Sequence, residues 1–455
     1  MRTAVGLVLV CGVLIAPISA QDGAASGADA SGADASSSSD VATPPAEMDP
    51  VDAARAAGVK LLVDLRPEDV LEAAKHGPAG EDTPLPAPEV MSGTIRRGVD
   101  FLRQAQQEDG SWGGWNNPAP WDEFWSNPYT HKSWIMATTG LVSMALLEEP
   151  ASAEGDAALR RGVTYILEVE IPKRPSDWDV DNTWGLIYGL QALSEVLARP
   201  DRQSVFTGSG DPAAFRAALT ERCTRFVEEL AKYQTPTGGW GYYDFETLAE
   251  RPSWATSFQT AVGLIALLQG QAVGIEVPQE MIVAARDALL RCRLPNGAYS
   301  YSVDAVPYMG MEWIDNVKGS LSRIQVCNLA LVLVGEDSVT RRDLRTGLDR
   351  FFEHHRFLDV ARKKPVPHEA YYLNSGYFYF FGHYYAARIL ELLDPADQIV
   401  YAARLAREVT KTQETDGSMW DYPFNSYDRP YGTAFGVMTL HRTMAVTRTD
   451  VPLQR

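Results

Sequence analysis

The chain has few cysteines and no excess of positive charge. Its 455 residues include four cysteines, 41 Lys and Arg, and 59 Asp and Glu, which gives a formal net charge of −18. Nucleic acids and anionic lipid surfaces attract clustered Lys and Arg, so this balance argues against both kinds of partner. Apolar residues make up 45% of the chain, which is typical of a globular protein with one large domain or several average ones.

The first residues have the pattern of a secretory signal. An apolar run over 4–18 follows a basic residue, and the small residues Ser19 and Ala20 end it. The run is shorter than the roughly 20 residues of a membrane span, and no later segment is apolar enough to span a bilayer. The pattern predicts a signal peptide over 1–20 and export to the periplasm or the extracellular space. An uncleaved membrane anchor is the alternative.

The remaining cysteines do not form a recognisable framework. Cys223, Cys292 and Cys327 are odd in number and include no Cys-x-x-Cys pair. Exported proteins often contain disulfides, but this spacing favours buried free thiols.

Composition divides the chain into segments. Residues 21–48 are mostly Ala, Ser, Gly and Asp, which predicts a disordered acidic linker. An N-terminal helical extension is predicted over 49–90 and ends in a joint rich in Pro and Gly. The main domain is predicted over 91–446, with a C-terminal tail over 447–455.

A phrase of polar, glycine and aromatic residues recurs along the main domain. Its glycines, at 110, 238, 297 and 417, are 128, 59 and 120 residues apart, which corresponds to two, one and two units of about 60 residues. Degenerate copies are expected near 174 and 357, so six units are predicted. The four clear copies are Gln106/Gly110/Trp112, Gln234/Gly238/Trp240, Arg293/Gly297/Tyr299 and Gln413/Gly417/Trp420.

Each unit has the pattern of two helices. The first is amphipathic, and the second is apolar nearly all round, as expected of a buried helix. First helices are predicted at 95–106, 212–233 and 341–354, and second helices at 133–147, 181–197, 253–268, 317–334, 377–393 and 431–444. This alternation predicts an all-α (α/α)6 toroid with six outer and six inner helices. An open helical solenoid is the alternative.

The recurring phrase resembles a known repeat. Arg97-Gly98, then Phe101-Leu102, and the Gln, Gly and Trp that follow are similar to the QW repeat of squalene and oxidosqualene cyclases. They are also similar to the repeat of protein prenyltransferase β subunits. The resemblance covers about residues 90–445 and implies a single toroid of the terpenoid cyclase and prenyltransferase superfamily. It implies that Gln and Trp tie helix ends together, which assigns this structural role to Gln106, Trp112, Gln234, Trp240, Gln413 and Trp420.

A second motif carries candidate chemistry. The segment from Asp179 to Trp184 resembles the Asp-x-Asp-Asp-Thr motif of squalene-hopene and class II diterpene cyclases. The resemblance implies that Asp181 protonates a carbon–carbon double bond while Asp179 and Asn182 tune its acidity. Asn182 stands where the family has an aspartate, so it could hydrogen-bond Asp181 but supplies no charge. The alternative is that Asp179 or Asp181 simply caps a helix.

The implied substrate is a hydrophobic isoprenoid, and no cofactor is implied. Ring faces stabilise carbocations, although core packing also explains aromatic residues on inner helices. The candidate substrate-binding residues are Trp184, Trp254, Phe258, Tyr377, Phe381 and His383. A prenyltransferase-type zinc site is not expected, because Asp315 and Cys327 are twelve residues apart, about 18 Å along a helix. His354 and His355 are expected to face solvent on an outer helix.

Two other classes of function remain open. Loop acids beside tryptophans suit a carbohydrate-active (α/α)6 enzyme, a glycoside hydrolase or polysaccharide lyase, although solvated loops explain them too. These residues are Asp122, Glu123, Asp244, Glu312, Asp315 and Asp421, with Trp115, Trp121, Trp125 and Trp313. The third class is a non-catalytic module whose ring cavity holds a lipid or a protein segment. Nothing in the sequence indicates an oligomeric state.

Overall fold

The computed structural model describes residues 86–114, 127–207, 210–245, 251–306, 313–423 and 426–447. The signal peptide, the linker and the tail predicted from the sequence lie outside these residues. So do most of the helical extension and the acids and tryptophans at 115–125 and 312. Among the described helices, none is both long and apolar enough to cross a membrane.

The described residues form helices joined by loops, with isolated bridges and no named strand. The helices in chain order are α1 (Pro88–Gln104), α2 (Pro128–Glu148), α3 (Ala153–Glu168), α4 (Asn182–Ala198), α5 (Gln203–Thr207), α6 (Pro212–Tyr233), α7 (Ser257–Ala272), α8 (Gln279–Cys292), α9 (Leu321–Leu333), α10 (Arg341–Glu353), α11 (Arg356–Ala361), α12 (Phe378–Ile389), α13 (Pro395–Thr410) and α14 (Asp428–Thr447).

Six inner helices form a closed ring. α2, α4, α7, α9, α12 and α14 each pack on the next, and α14 packs on α2. The outer helices α1, α3, α6, α8, α10 and α13 pack against them from outside. The predicted (α/α)6 toroid is confirmed, and the contact between α14 and α2 excludes an open solenoid.

Burial differs between the two rings as the hydrophobic patterns predict. In α4, an inner helix, every residue is buried except Trp184, Glu195 and Ala198. In α10, an outer helix, only one stripe is buried: Leu344, Gly347, Leu348, Phe351 and Phe352. The inner helices are therefore enclosed on all sides, and their side chains meet at the ring centre.

The recurring glycines make tight turns between outer and inner helices. Gly238 has a φ of 94°, which an L side chain rarely adopts. A Cβ there would lie 2.4 Å from the carbonyl oxygen of Ala284 on α8. Gly110 and Gly417 have similar φ angles, 91° and 89°, and a Cβ there would lie 2.7 Å from the Arg161 carbonyl oxygen and 2.4 Å from the Arg97 carbonyl oxygen, respectively. Each loop is thus pressed against a neighbouring outer helix.

The repeat glutamines tie these loops to the outer ring. The amide of Gln234 donates to the carbonyl oxygens of Gly238 at 2.8 Å and Met281 at 3.0 Å. The amide of Gln413 likewise donates to Thr94 of α1 at 2.8 Å and to its own loop. The last unit is therefore joined to the first by a side-chain hydrogen bond.

The role expected of Trp420 is wrong. The backbone N–H of buried Trp112 donates to Thr139 Oγ1 at 3.0 Å, and that of Met419 donates to Thr433 Oγ1 at 2.8 Å. Met419 is fully buried, so it occupies the tryptophan position of the last unit. The extra residue in this unit displaces Trp420 to a half-buried place, with a lysine ammonium 4.3 Å from its ring centroid.

The three cysteines of the toroid are free and buried, as predicted. Burial raises the pKa of the Cys223 thiol and of the Cys292 thiol to about 12. At neutral pH both therefore stay protonated and act as small apolar side chains.

Candidate functional site

Asp179 and Asp181 lie in the segment that enters the inner ring at α4. Both side chains are buried, with 3% and 4% of their surfaces exposed. Asp179 Oδ2 accepts a hydrogen bond from the Thr130 hydroxyl at 2.5 Å, and its Oδ1 accepts one from the Asp181 backbone N–H at 2.9 Å. Asp179 is thus held as an acceptor between the first turn of α2 and the start of α4.

Asp181 does not cap α4 with its side chain. A capping side chain needs an extended backbone at the N-cap, but Asp181 has φ −60° and ψ −15°, which is helical, and it makes no side-chain cap bond. Its carboxyl group instead hydrogen-bonds the Trp134 side chain of α2. The capping interpretation is therefore wrong for Asp181, whose carboxyl group contributes no helix-capping hydrogen bond.

The two carboxyl groups differ in protonation. Burial, followed by the negative charge of Asp179, raises the pKa of Asp181 well above its usual range. Burial also raises the pKa of Asp179, but hydrogen bonds from Thr130 and Asp181 oppose that rise. Ionisation of both neighbouring buried carboxyl groups is energetically unfavourable, so a proton shared by the pair favours Asp181, which has fewer hydrogen-bond donors. The contacts of the pair therefore favour the protonated form at Asp181 over the protonated form at Asp179.

Asn182 does not make the expected bond to Asp181. Its side chain is fully buried, and neither its Oδ1 nor its Nδ2 has a hydrogen-bond partner. Successive side chains on an α-helix diverge by about 100°, so the amide leaves α4 in a different direction from the carboxyl group. Asn182 is therefore not a hydrogen-bonding partner of the acid, in contrast to what the motif implies.

A closed set of five aromatic rings crosses the ring centre below this acid. Trp184 lies 6.0 Å from both Tyr188 and Phe258, measured between ring centroids. Phe258 lies 6.1 Å from Phe381, which lies 6.3 Å from Phe435, and Phe435 lies 6.2 Å from Tyr188. Helices that are not neighbours, such as α7 and α12, thus meet through aromatic side chains. Trp184, Phe258 and Phe381 are brought together as the sequence grouped them.

Trp254 and Tyr377 lie at the rim of this set and are half-buried. Trp254 packs edge to face on Tyr242 at 5.3 Å, and the Tyr377 hydroxyl is 2.8 Å from His368 Nε2. Trp254 is linked to Phe258 of the central rings through Tyr242, and Tyr377 is linked to Phe258 through Phe378. Both residues lie at the N-terminal ends of inner helices, Trp254 just before α7 and Tyr377 at the N-cap of α12.

His383 and His355 lie elsewhere than expected. His383 is fully buried on the outward side of α12, with its Nε2 2.9 Å from His355 Nε2. Burial lowers the pKa of His383 well below its usual range, so its ring is neutral. His355 is 6% exposed and does not face solvent. Helix periodicity explains the placement, because positions 381 and 383 of α12 point to different sides.

The described loop acids support backbone rather than line an open cleft. Asp421, for example, accepts hydrogen bonds from the Phe380 N–H at 3.0 Å and the Tyr431 hydroxyl at 2.8 Å. Asp244 and Asp315 are buried in comparable contacts with neighbouring backbone N–H groups. The interpretation of these three acids as solvated loops is wrong.

Sequence reasoning missed the first turn of α2, which surrounds the acid pair. Thr130 and His131 lie there, Trp134 lies one turn later, and all three are buried. The helix was expected to begin at 133, whereas it begins at Pro128 after Asn127, whose side chain caps it. An Asn-Pro pair is a helix-start signal that could have found this turn.

No protein-family model matches the chain, and no curated protein does either. Several solved structures are similar to it. An α-1,6-mannanase from a Salegentibacter species has a TM-score of 0.51 at 11% identity, over 78% of this chain and 99% of that one. The type II terpene cyclase MstE from Scytonema has a TM-score of 0.46 at 16% identity, over 79% and 99%. A possible GH105 family member from Klebsiella pneumoniae has 0.47 at 14% identity, over 79% and 94%. At these identities the likeness shows a shared toroid fold and does not identify an activity.

Proposed function

We propose that the protein is an enzyme that protonates an unsaturated isoprenoid and so starts its cyclisation or rearrangement. The observation that carries this proposal is the state of Asp181. It is a buried carboxyl group with a raised pKa, its side chain does not cap a helix, and it lies about one helical turn before Trp184, a member of the five central rings. A raised pKa favours the protonated form of a carboxyl group, which is the form that a general acid requires.

The residues divide the work in a defined way. Asp181 transfers its proton to one carbon of a double bond, which leaves a carbocation on the other carbon and a carboxylate on Asp181. Asp179 holds the Asp181 backbone in place through its 2.9 Å hydrogen bond. The faces of Trp184 and Phe258 stabilise the cation. Transfer of a proton from the final cation to solvent ends the reaction, and uptake of a proton from solvent restores the Asp181 carboxylic acid.

Incubation with squalene and shorter isoprenoids tests this function. The wild-type protein is expected to form products detectable by mass spectrometry, and Asp181→Asn to lose at least about a hundredfold in rate, as expected for removal of a general acid. Asp177→Asn is the matched control, because Asp177 is exposed in the same segment. No product from any isoprenoid, or equal rates in the wild type and Asp181→Asn, would contradict the proposal.

A carbohydrate-active enzyme is the second candidate, and exposed aromatic side chains favour it. Trp178 and Phe245 are 41% and 59% exposed, and both pack on the ring of Tyr243. The backbone of Tyr243 pairs with that of Asp179 in an isolated β-bridge. Such a platform beside an acid pair suits stacking of sugar rings. Release of reducing ends from polysaccharides, lost in Trp178→Ala and in Asp181→Asn, would favour this candidate over the first.

We also propose that the protein is exported. The apolar run over 4–18 and the small residues after it support this. Expression in a bacterial host followed by N-terminal sequencing is expected to give a mature chain beginning at Gln21. A retained N-terminus in a membrane fraction would support the anchor alternative instead.

A further inference from the structure

Two helices outside the ring centre, α11 and α13, bring a histidine and two carboxylates together. His355 and Asp359 lie at the start of α11 and one turn into it, and Glu408 lies on α13. His355 Nδ1 is 2.9 Å from Asp359 Oδ2 and 3.5 Å from Glu408 Oε2. One possible ligand atom from each residue lies within 4.8 Å of the others. This cluster of His355, Asp359 and Glu408 has no part in the acid chemistry proposed above.

Hydrogen bonds fix which nitrogen of His355 is available. His383 Nδ1 lies 2.7 Å from the Tyr379 carbonyl oxygen, so it must donate its proton there. With Nδ1 as its donor, His383 has Nε2 as its acceptor nitrogen, and His355 Nε2 donates to it across 2.9 Å. His355 Nδ1 is left facing two carboxylates.

A lone pair facing two carboxylates needs a positive centre between them. A proton on Nδ1 reaches one carboxylate, whereas a metal ion contacts all three ligands. We propose that His355 Nδ1, Asp359 and Glu408 bind one divalent transition-metal ion, of which Zn²⁺ is the reference. A metal-bound histidine commonly donates its other N–H to a fixed acceptor, which is the role that His383 fills.

The spacing of the ligands suits a small ion. Ligands about 2.1 Å from a tetrahedral Zn²⁺ lie about 3.4 Å from one another. The distances of 2.9 and 3.5 Å from His355 Nδ1 to the carboxylates are close to that value. A nitrogen ligand favours Zn²⁺ over Mg²⁺ and Ca²⁺, which prefer oxygen ligands.

Lys411 is the present counter-charge of the cluster. Its ammonium contacts Glu408 and lies 3.4 Å from Asp359 Oδ1. Its side chain is 46% exposed, so it can swing into solvent when a metal ion arrives. A divalent metal ion would replace the ammonium as the positive charge between the two carboxylates.

The cluster also departs from the repeat. His355 directly follows the C-cap residue of α10, as Gln106 follows that of α1. Gln106 uses its amide to tie its loop to Ala158 on the next outer helix. His355 cannot make that bond, but a metal ion shared with Glu408 would tie the same loop to α13. Histidine at the glutamine position would thus replace the hydrogen bond between the loop and the next outer helix with metal coordination.

Zn²⁺ titration by calorimetry of the metal-stripped protein tests the site. One ion per chain is expected, with affinity lowered at least about tenfold in Glu408→Gln. Lys411→Met is expected to bind Zn²⁺ more tightly than the wild type, because the competing ammonium is gone. Asp397→Asn is the control, since Asp397 lies on the same helix and pairs with Arg345 instead. Co²⁺ is expected to give the visible absorption of a low-coordinate site.

These variants also separate the site from non-specific binding. His355→Gln removes the nitrogen ligand, but His355 is buried and the change endangers folding, so Glu408→Gln and Lys411→Met carry the test. Zn²⁺ binding that is absent, or unchanged in Glu408→Gln and no tighter in Lys411→Met, would overturn the proposal. The result is independent of isoprenoid turnover.

Discussion

At the residue scale, the chemistry of the candidate site depends on small differences between two neighbouring aspartates. The Asp179 carboxyl group accepts hydrogen bonds from the Thr130 hydroxyl and the Asp181 backbone N–H, whereas the Asp181 carboxyl group accepts one from the Trp134 side chain. The carboxyl group with fewer donors keeps the proton. The sequence motif identified both residues and implied that Asp181 is the acid, but it did not show the hydrogen-bond donors of α2, Thr130 and Trp134, that distinguish the two carboxyl groups.

The pH dependence of stability is the first prediction. Because the pKa of Asp181 is raised in the folded state, the folded protein binds more protons than the unfolded chain. The stability that this group contributes is present below the ordinary Asp pKa of about 3.9 and is lost as the pH rises through the folded-state value. Asp181→Asn has no such loss. The Tm of the variant minus the Tm of the wild type is therefore expected to increase from pH 5 to pH 8. Thermal melts followed by circular dichroism measure this difference.

Asp179→Ala is the contrasting variant. It leaves the Thr130 hydroxyl and the Asp181 N–H without their acceptor, which is expected to cost about 1–3 kcal/mol of unfolding free energy. A Tm difference between Asp181→Asn and the wild type that stays constant with pH would contradict the protonation assignment.

At the element scale, each unit is defined by how its loop meets an outer helix. Glycine recurs there because the turn needs a positive φ and because an outer-helix carbonyl lies where a Cβ would be. The sequence identified Gly110, Gly238 and Gly417 by their spacing alone. It misassigned Trp420, because an insertion of one residue shifts the register, and only the packing of Met419 revealed the shift.

Gly238→Ala is expected to destabilise the protein more than Gly274→Ala does. Both glycines have a φ above 90°, so both changes carry a backbone strain of about 1–2 kcal/mol. Only at Gly238 does the added Cβ meet a carbonyl oxygen, whereas Gly274 has nothing within 4 Å. Urea unfolding midpoints of the two variants measure the difference. Equal shifts would show that the loop at Gly238 moves to accommodate the added Cβ with no further loss of stability.

At the scale of the whole molecule, ring closure joins residues far apart in the chain. The bond from Gln413 to Thr94 connects the last loop with α1, and α14 packs on α2. Such long-range contacts mean that the units stabilise one another in a circle. A substitution that weakens one junction is therefore expected to lower the stability of the whole ring.

Loss of the closing hydrogen bond is expected to lower stability cooperatively. Gln413→Ala leaves the Thr94 and Gly417 carbonyls without the amide donor, which costs about 1–3 kcal/mol. Gln279→Ala, at an exposed position, is the control and is expected to have little effect. A single unfolding transition should persist in both variants. A separate early transition in Gln413→Ala would show that the units unfold independently.

Thiol reactivity reports on the intact ring. Cys223, Cys292 and Cys327 are buried in the toroid, so a thiol reagent such as DTNB is expected not to label them in the native protein. In denaturant the chain cleaved at Gln21 should show three reactive thiols, and a chain that retains its N-terminus four. Rapid labelling under native conditions would indicate local opening of the inner helices.

The sequence by itself determined the repeat, the alternation of outer and inner helices, and the acidic motif, because glycine turns, hydrophobic periodicity and aspartate spacing are local properties. Tertiary structure decided the rest. The proton on Asp181 depends on Thr130 and Trp134, about 50 residues earlier. The amide of Asn182 turns away because of helix geometry, and His355 meets Glu408 because α11 and α13 pack together. Direction, burial and protonation arise from long-range packing, which no local pattern in the chain encodes.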